Sequence, residues 1–324
     1  MFQVVILFFC CFLSAASMTP DVTLYLIRHG ESRQNVAIRN FDIGAMFREQ
    51  DHGLSLRGAE QCVHLASRLE SMMRNARDRE EECKTDAKRL SDPTTRIFSS
   101  SLTRAVETSI LALTPLPGIR HGVQLMPDAR ERASCVPGLS YDCVALPRGQ
   151  VASRALAELE NLSAEEELPK HVTHACKEAC QALADGSIQL DVSRVPAASS
   201  RWISSIEVDS SVDERIERLV RDLREQARSS DSRAAVCVGH SMLFLRLFKR
   251  HWAKAAKLHR GASADFFRSP LGRTLQTHAL ANCAIIAVDL DKDGRVVHAR
   301  LLCDSGFRDG IIDSAKDVAA WKKS

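Results

Sequence analysis

The sequence predicts an α/β domain, a three-layer αβα sandwich around a mostly parallel central sheet. Short apolar runs at residues 24–27, 234–238 and 283–290 have the length and composition of buried strands. Amphipathic segments, with apolar residues three and four positions apart, lie between these runs. Strands that alternate with helices are typical of βαβ units, in which neighbouring strands run parallel.

The predicted elements follow one another in a regular order. A first strand at residues 24–27 precedes a helix at 59–73, which Ser55 is placed to cap. A second strand at 96–101 leads directly into a helix at 102–113. The later elements are a helix from residue 209, a strand at 234–238, a helix at 242–252, and a hairpin of strands at 283–290 and 296–302.

Two segments are predicted to lie outside this framework. Residues 74–92 are dense in charge of both signs and poor in large apolar side chains, so we expect a solvated helical extension or a mobile insert, and no function is implied. Residues 119–150 are rich in proline and glycine and are predicted to be largely loop.

We predict that residues 18–324 form a single domain with a helical and loop insertion at about residues 132–205. Residues 1–17 are an apolar leader that ends in small residues, as signal peptides do, but they lack a positive charge. Translation from Met18 is the alternative. The chain is then secreted or endomembrane if the leader is used, and otherwise cytoplasmic.

Composition excludes some classes of partner. A net charge of +3 over 324 residues argues against nucleic acid as a partner, so any anion must bind at a local site. Outside the leader no apolar run is long enough to span a membrane, and nothing indicates an oligomeric state. Cys176 and Cys180 share a helix face, but no second pair completes a zinc pattern, so no metal and no cofactor are predicted. The cysteines are expected to be reduced and structural, which conflicts with a signal peptide.

Three predicted strands end in polar residues of the same kind. Arg28-His29-Gly30 follows the first strand, Arg104 lies in the helix turn after the second, and Gly239-His240 follows the third. The carboxyl ends of parallel strands meet at one sheet edge, where α/β proteins bind ligands. Two arginines and two histidines at that edge predict a pocket for a phosphate-sized anion.

These motifs resemble those of the histidine phosphatase superfamily, branch 1 type, which has the phosphoglycerate-mutase-like fold. Leu26-Ile-Arg-His-Gly-Glu-Ser32 with Asn35 is similar to its signature, Ser99-Ser-Ser-Leu-Thr-Arg-Ala-Val-Glu-Thr108 to its second motif, and Val238-Gly-His-Ser241 to its third. Leu54-Ser-Leu-Arg-Gly58 with Gln61 resembles the helix entry of the family. The likeness covers about residues 22–131 and 209–302, and it leaves the predicted insertion unmatched.

The resemblance implies that His29 is a nucleophile that takes the phosphoryl group onto its imidazole. Arg28, Arg104 and His240 would hold the transferring oxygens and neutralise charge in the transition state. Asn35 and Thr108 are further candidates for phosphate or support contacts, and helix packing or capping explains them equally well.

The reaction also needs a proton donor for the leaving oxygen, and the family uses an acidic residue after the second motif. Its position in the sequence after the second motif favours Glu131 over Asp128 as this donor. The neighbouring Arg130 and Arg132 would favour the ionised form of Glu131 unless they point away.

The sequence around Glu131 does not match the acidic loop of phosphoglycerate mutases, so a phosphomonoester phosphatase is the favoured function. Its substrate would be a phosphorylated small molecule or a phosphoprotein. The alternatives are mutase-type phosphoryl transfer and a non-catalytic phosphate-binding protein on the same fold.

Overall fold

The computed structural model describes residues 20–76, 81–131, 143–144, 146–197, 207–257, 261–303 and 311–312. The predicted leader, Arg132 and parts of the predicted insertion lie outside these ranges. Among the described residues, no helix is both long enough and apolar enough to span a membrane.

The strands are β1 (Val22–Arg28), β2 (Arg96–Ser100), β3 (Val123–Met126), β4 (Leu190–Asp191), β5 (Ala234–Gly239), β6 (Ala279–Leu280), β7 (Ile285–Leu290), β8 (Val296–Cys303) and β9 (Ile311–Ile312). In the described chain the central sheet has the order β4-β3-β2-β5-β1-β7-β8, and β6 pairs separately with β9. Strands β1 to β5 run parallel, whereas β7 is antiparallel to both β1 and β8. The predicted fold class, with its mostly parallel sheet, is confirmed.

The helices are α1 (Arg33–Asn40), α2 (Ile43–Arg48), α3 (Leu56–Arg74), α4 (Glu81–Leu90), α5 (Thr103–Ala112), α6 (Arg148–Ala164), α7 (Lys170–Ala184), α8 (Asp209–Arg228), α9 (Ser241–Arg246), α10 (Ala253–Lys257), α11 (Ala262–Arg268) and α12 (Pro270–Thr277). A π-helical segment, Leu247–Trp252, joins α9 to α10. Short 3-10 turns are found at Pro117–His121 and Pro127–Ala129.

The helices form a layer on each face of the sheet. One apolar core lies between the sheet and α3 to α7, and a second lies between the sheet and α8 to α12. Strand β1 contributes to both cores, because Tyr25 and Ile27 point into the first and Leu24 and Leu26 into the second. A strand that is buried on both faces explains the unbroken apolar run in the sequence.

The sequence pattern predicts α3 closely. Its Ser55 accepts the Gly58 N–H and caps the helix, as expected, and Cys62, Leu65 and Leu69 are buried along one face. The helical part of the predicted insertion contains α6 and α7, which lie on either side of Pro169, and their apolar residues complete the first core.

Two sequence predictions are wrong in part. Within the predicted loop at 119–150, Val123–Met126 form a strand that pairs in parallel with β2. Four residues before Pro127 are too few to show a strand period, so the partner strand decides this conformation. The charged segment at 74–92 contains α4, which buries Asp86, Ala87 and Leu90 instead of being solvated all round.

Asp86 is buried because it joins α4 to the sheet. Its Oδ1 accepts the Tyr25 hydroxyl at 2.8 Å, and its Oδ2 accepts Arg300 Nε at 2.7 Å. Removing one partner of a buried ion pair leaves the other charge unpaired in a dry environment.

We therefore expect Asp86→Ala to lower the free energy of unfolding by about 3 kcal/mol, as measured by urea denaturation. Glu70→Ala, which breaks an exposed ion pair with Arg74 on α3, is the control and should cost less than about 0.5 kcal/mol. Equal losses in the two variants would contradict a structural role for Asp86.

Candidate active site

Three strand ends converge at the carboxyl edge of the sheet. Strand β5 lies between β1 and β2, and Arg28 at the end of β1 is in register with Gly239 at the end of β5. The residues that follow, His29 and His240, therefore lie side by side, with ring centroids 4.9 Å apart and planes inclined at 56°. Arg104 enters from the first turn of α5, directly after β2. The four residues predicted to form an anion pocket are thus brought to one edge.

The orientation of His29 is fixed by hydrogen bonds. Its Nδ1 lies 2.6 Å from the Gly30 carbonyl oxygen, which can only accept, so Nδ1 carries the proton and Nε2 keeps its lone pair. The backbone of His29 is held on both sides: its N–H donates to the Gly239 carbonyl, and its carbonyl accepts the side-chain N–H of Asn282. The ring presents Nε2 as a nucleophile from a rigid backbone.

The surroundings of His29 keep it neutral. The side chain is 3% exposed, and burial, followed by the charges of Arg104 and Arg28, lowers the pKa of His29 well below its usual value. A ring whose pKa is lowered remains unprotonated at neutral pH and below it. Its Nε2 lone pair is therefore available for attack on phosphorus.

Arg104 is buried and held from behind by a carboxylate. Its Nη1 lies 3.9 Å from Oδ1 of Asp51, and Asp51 also accepts the backbone N–H and the hydroxyl of Thr103. Asp51 has a φ of 54°, in the left-handed region that non-glycine residues adopt rarely. Asp51 could not be identified from the sequence, because its role depends on a contact with Arg104, which lies 53 positions further along the chain.

Arg28 is anchored through one nitrogen. Its Nη1 donates to the Leu280 carbonyl at 2.6 Å. Burial lowers the pKa of Arg28 to about 10, an effect that Glu131 opposes, so the guanidinium is still charged at neutral pH.

The second histidine, His240, is fully buried, and within the described chain its ring makes one hydrogen bond. Its Nε2 lies 2.8 Å from Ser100 Oγ. Burial and then the neighbouring Arg104 and His29 lower the pKa of His240 well below its usual value. His240 is therefore a second neutral imidazole in the same pocket.

Some buried polar atoms at these strand ends have no partner. Among the described residues, Arg28 Nε, Ser101 Oγ and His240 Nδ1 are inaccessible to water and make no hydrogen bond. Buried polar atoms in proteins are rarely left unpaired, and each such exception needs an explanation. All three can donate, so an anion with several oxygens is the class of ligand that would satisfy them.

Glu131 lies beside this pocket. Its carboxylate accepts the backbone N–H groups of Met242 and Leu243, at 3.2 and 3.1 Å, in the turn that follows His240. The neighbouring Arg130 points away, because its guanidinium pairs with Glu207. Asp128, the alternative proton donor, forms a two-point ion pair with Arg218 on α8 instead.

Asn35 and Thr108 support the loop that carries His29. Asn35 Oδ1 accepts the Ser32 N–H in a capping box at the start of α1, which leaves its amide nitrogen for other contacts. Thr108 donates to the Arg104 carbonyl and accepts the Gly30 N–H, so it ties α5 to the His29 loop.

Comparison with known proteins gives structural matches alone. No protein-family model matches the chain, and no curated protein matches it. Among solved structures, a phosphoglycerate mutase from Bacillus anthracis is 16% identical with a TM-score of 0.44, over 94% of this chain and 97% of that one. A mycobacterial glucosyl-3-phosphoglycerate phosphatase is 18% identical with a TM-score of 0.41, over 87% and 98%. A candidate alpha-ribazole-5'-P phosphatase from Escherichia coli K-12 is 16% identical with a TM-score of 0.43, over 88% and 97%.

All three are histidine phosphatase superfamily members. At these identities and TM-scores the matches carry no argument about activity, so the case for function rests on the site.

The low pKa of His29 can be tested directly. We expect NMR titration of the wild-type protein, with His29→Gln used for assignment, to show a neutral His29 ring at pH 6.5. Arg104→Gln removes a nearby positive charge and should raise the pKa of His29 toward its usual value.

Arg218→Gln, which removes a charge from the surface pair with Asp128, is the control and should leave the titration of His29 unchanged. A wild-type His29 with a pKa at or above the usual 6.5 would contradict the electrostatic argument.

Proposed function

We propose that this chain is a phosphomonoester phosphatase that works through a phosphohistidine intermediate on His29 and needs no metal ion. The observation that carries the proposal is the burial and protonation of the His29 ring. This ring is buried, its Nδ1 proton is bound by the Gly30 carbonyl, and its Nε2 is left free beside two arginines. Binding a phosphate would not require a neutral imidazole in this position, whereas attack on phosphorus does.

The first step transfers the phosphoryl group to the protein. The Nε2 lone pair of His29 attacks phosphorus, and the bond from phosphorus to the leaving oxygen breaks. Arg28 and Arg104 would hold the equatorial oxygens and neutralise the charge that builds up on them. His240 would donate a further hydrogen bond to one of these oxygens. The charges of Arg28 and Arg104 would take the place of the metal ion that other phosphoryl-transfer enzymes use to stabilise negative charge.

Glu131 is the proposed acid and base. It would give a proton to the leaving oxygen, and its carboxylate would then take a proton from the water that attacks phosphohistidine and releases inorganic phosphate. The two backbone N–H groups that it accepts favour the ionised form, which suits the second step. For the first step, the dianionic phosphate of an arriving substrate would favour proton uptake by this carboxylate.

The phosphatase proposal predicts hydrolysis of an aryl phosphate in the presence of EDTA. His29→Ala should abolish this activity, because the attacking atom is lost, while His64→Ala, at an exposed position on α3, should retain it. Rapid quenching of the wild-type reaction should trap an acid-labile phosphoryl group on the protein.

Unchanged turnover in His29→Ala would refute the proposal. Interconversion of 2- and 3-phosphoglycerate that is faster than phosphate release would instead indicate a mutase. Phosphate binding without any turnover would indicate a binding protein.

The proton donor can be identified from leaving-group dependence. Glu131→Gln keeps the shape of the side chain and an oxygen for one of the two backbone contacts, but it cannot donate a proton as the acid does. We expect kcat to fall about 100-fold with an alkyl phosphate, whose leaving oxygen needs protonation, and much less with 4-nitrophenyl phosphate. Asp128→Asn is the matched control and should affect neither substrate. The reverse pattern would assign the proton donor to Asp128.

A further inference from the structure

Ser100 has an unusual place among the residues around the pocket. It is the last residue of β2, it is completely buried, and its hydroxyl lies 2.8 Å from Nε2 of His240. The same hydroxyl oxygen accepts the backbone N–H of Leu102 at 3.3 Å. Among the described residues it has no other partner.

The two contacts of Ser100 determine where its proton goes. The Leu102 N–H can only donate, so it uses a lone pair of the serine oxygen. If His240 Nε2 also donated, both lone pairs would be used and the serine proton would be buried without an acceptor. Leaving a buried donor unsatisfied costs about 1–3 kcal/mol. The serine proton is therefore donated to Nε2, the one acceptor that the described residues place within hydrogen-bond distance.

This direction fixes the tautomer of His240. A neutral imidazole whose Nε2 accepts a hydrogen bond carries its proton on Nδ1. The ring is neutral, because burial and the neighbouring positive charges lower the pKa of His240. Nδ1 is also the ring atom that is buried and lacks a partner. A phosphoryl oxygen only accepts hydrogen bonds. It would accept one from a protonated Nδ1, whereas a lone pair on Nδ1 would repel it.

We propose that Ser100 is a positioning residue that holds neutral His240 in the Nδ1–H tautomer, so that this ring donates to an oxygen of the phosphoryl group. The hydrogen bond to a phosphoryl oxygen rests on the proposed function, whereas the tautomer of His240 does not depend on catalysis. The serine acts through His240 and does not touch the substrate.

The tautomer can be measured in the unliganded full chain. Nitrogen-15 NMR of the histidine side chains, with His240→Gln for assignment, should show a protonated Nδ1 and an unprotonated Nε2 for His240. A wild-type His240 that is protonated on Nε2 would overturn the inference, whatever the activity. This measurement needs no variant of Ser100.

Ser100→Ala then tests the consequence. Losing the hydroxyl should change the tautomer ratio of His240, weaken the binding of inorganic phosphate and lower kcat/KM, each by about tenfold, as expected for one hydrogen bond. Ser109→Ala is the matched control: this serine is equally buried, but its hydroxyl donates to the Val106 carbonyl of its own helix and bonds to no other described residue. In Ser109→Ala, phosphate affinity and kcat/KM should stay within about twofold of the wild-type values, since this hydroxyl makes no contact with the pocket.

The outcomes separate the two proposals. A loss of activity in Ser100→Ala with an unchanged His240 tautomer would mean that the serine has only a structural role, and would overturn the inference. A wild-type protein with the expected tautomer and phosphate affinity, but without hydrolysis, would refute the phosphatase function and leave the tautomer assignment intact.

Discussion

The in-register parallel pairing of β1 with β5 is the constraint on which the site depends. It places Arg28 opposite Gly239, so the next residue on each strand is a histidine at the same height. The His29 N–H bond to the Gly239 carbonyl extends this pairing one step beyond the ladder. Because side chains alternate along a strand, a slip of one residue would turn His29 or His240 toward the opposite face of the sheet.

A second constraint is electrostatic. The pocket places the positive charges of buried Arg104 and part-buried Arg28 next to the two imidazoles. Buried charge is expensive unless it is paired. Two consequences follow. His29 and His240 stay neutral because they are buried and because protonation would add a further positive charge, and a multiply charged anion becomes the ligand that best complements the arginines.

Much of the site could be predicted from the sequence because its chemistry is carried by strand ends. Apolar runs that stop at Arg28 and at Gly239 mark buried strands, and a parallel sheet brings such ends together. Asp51 and Ser100 could not be found in this way. Each acts through a partner far along the chain, Arg104 or His240, and neither contact leaves a periodic pattern in the sequence. The short strand β3 was missed for a similar reason, since pairing with β2 and not local propensity makes it a strand.

The sequence by itself determined the α/β class, the positions of the long elements and the residues available for phosphoryl chemistry, because hydrophobic period and strand ends are local properties. The tertiary structure decided the state of those residues. It buried His29 beside Arg104, which lowers the pKa of His29, and it turned Asp128 toward α8 while placing Glu131 beside the turn after His240. Proton positions, burial and side-chain direction depend on neighbours that are distant in sequence, and only packing brings them together.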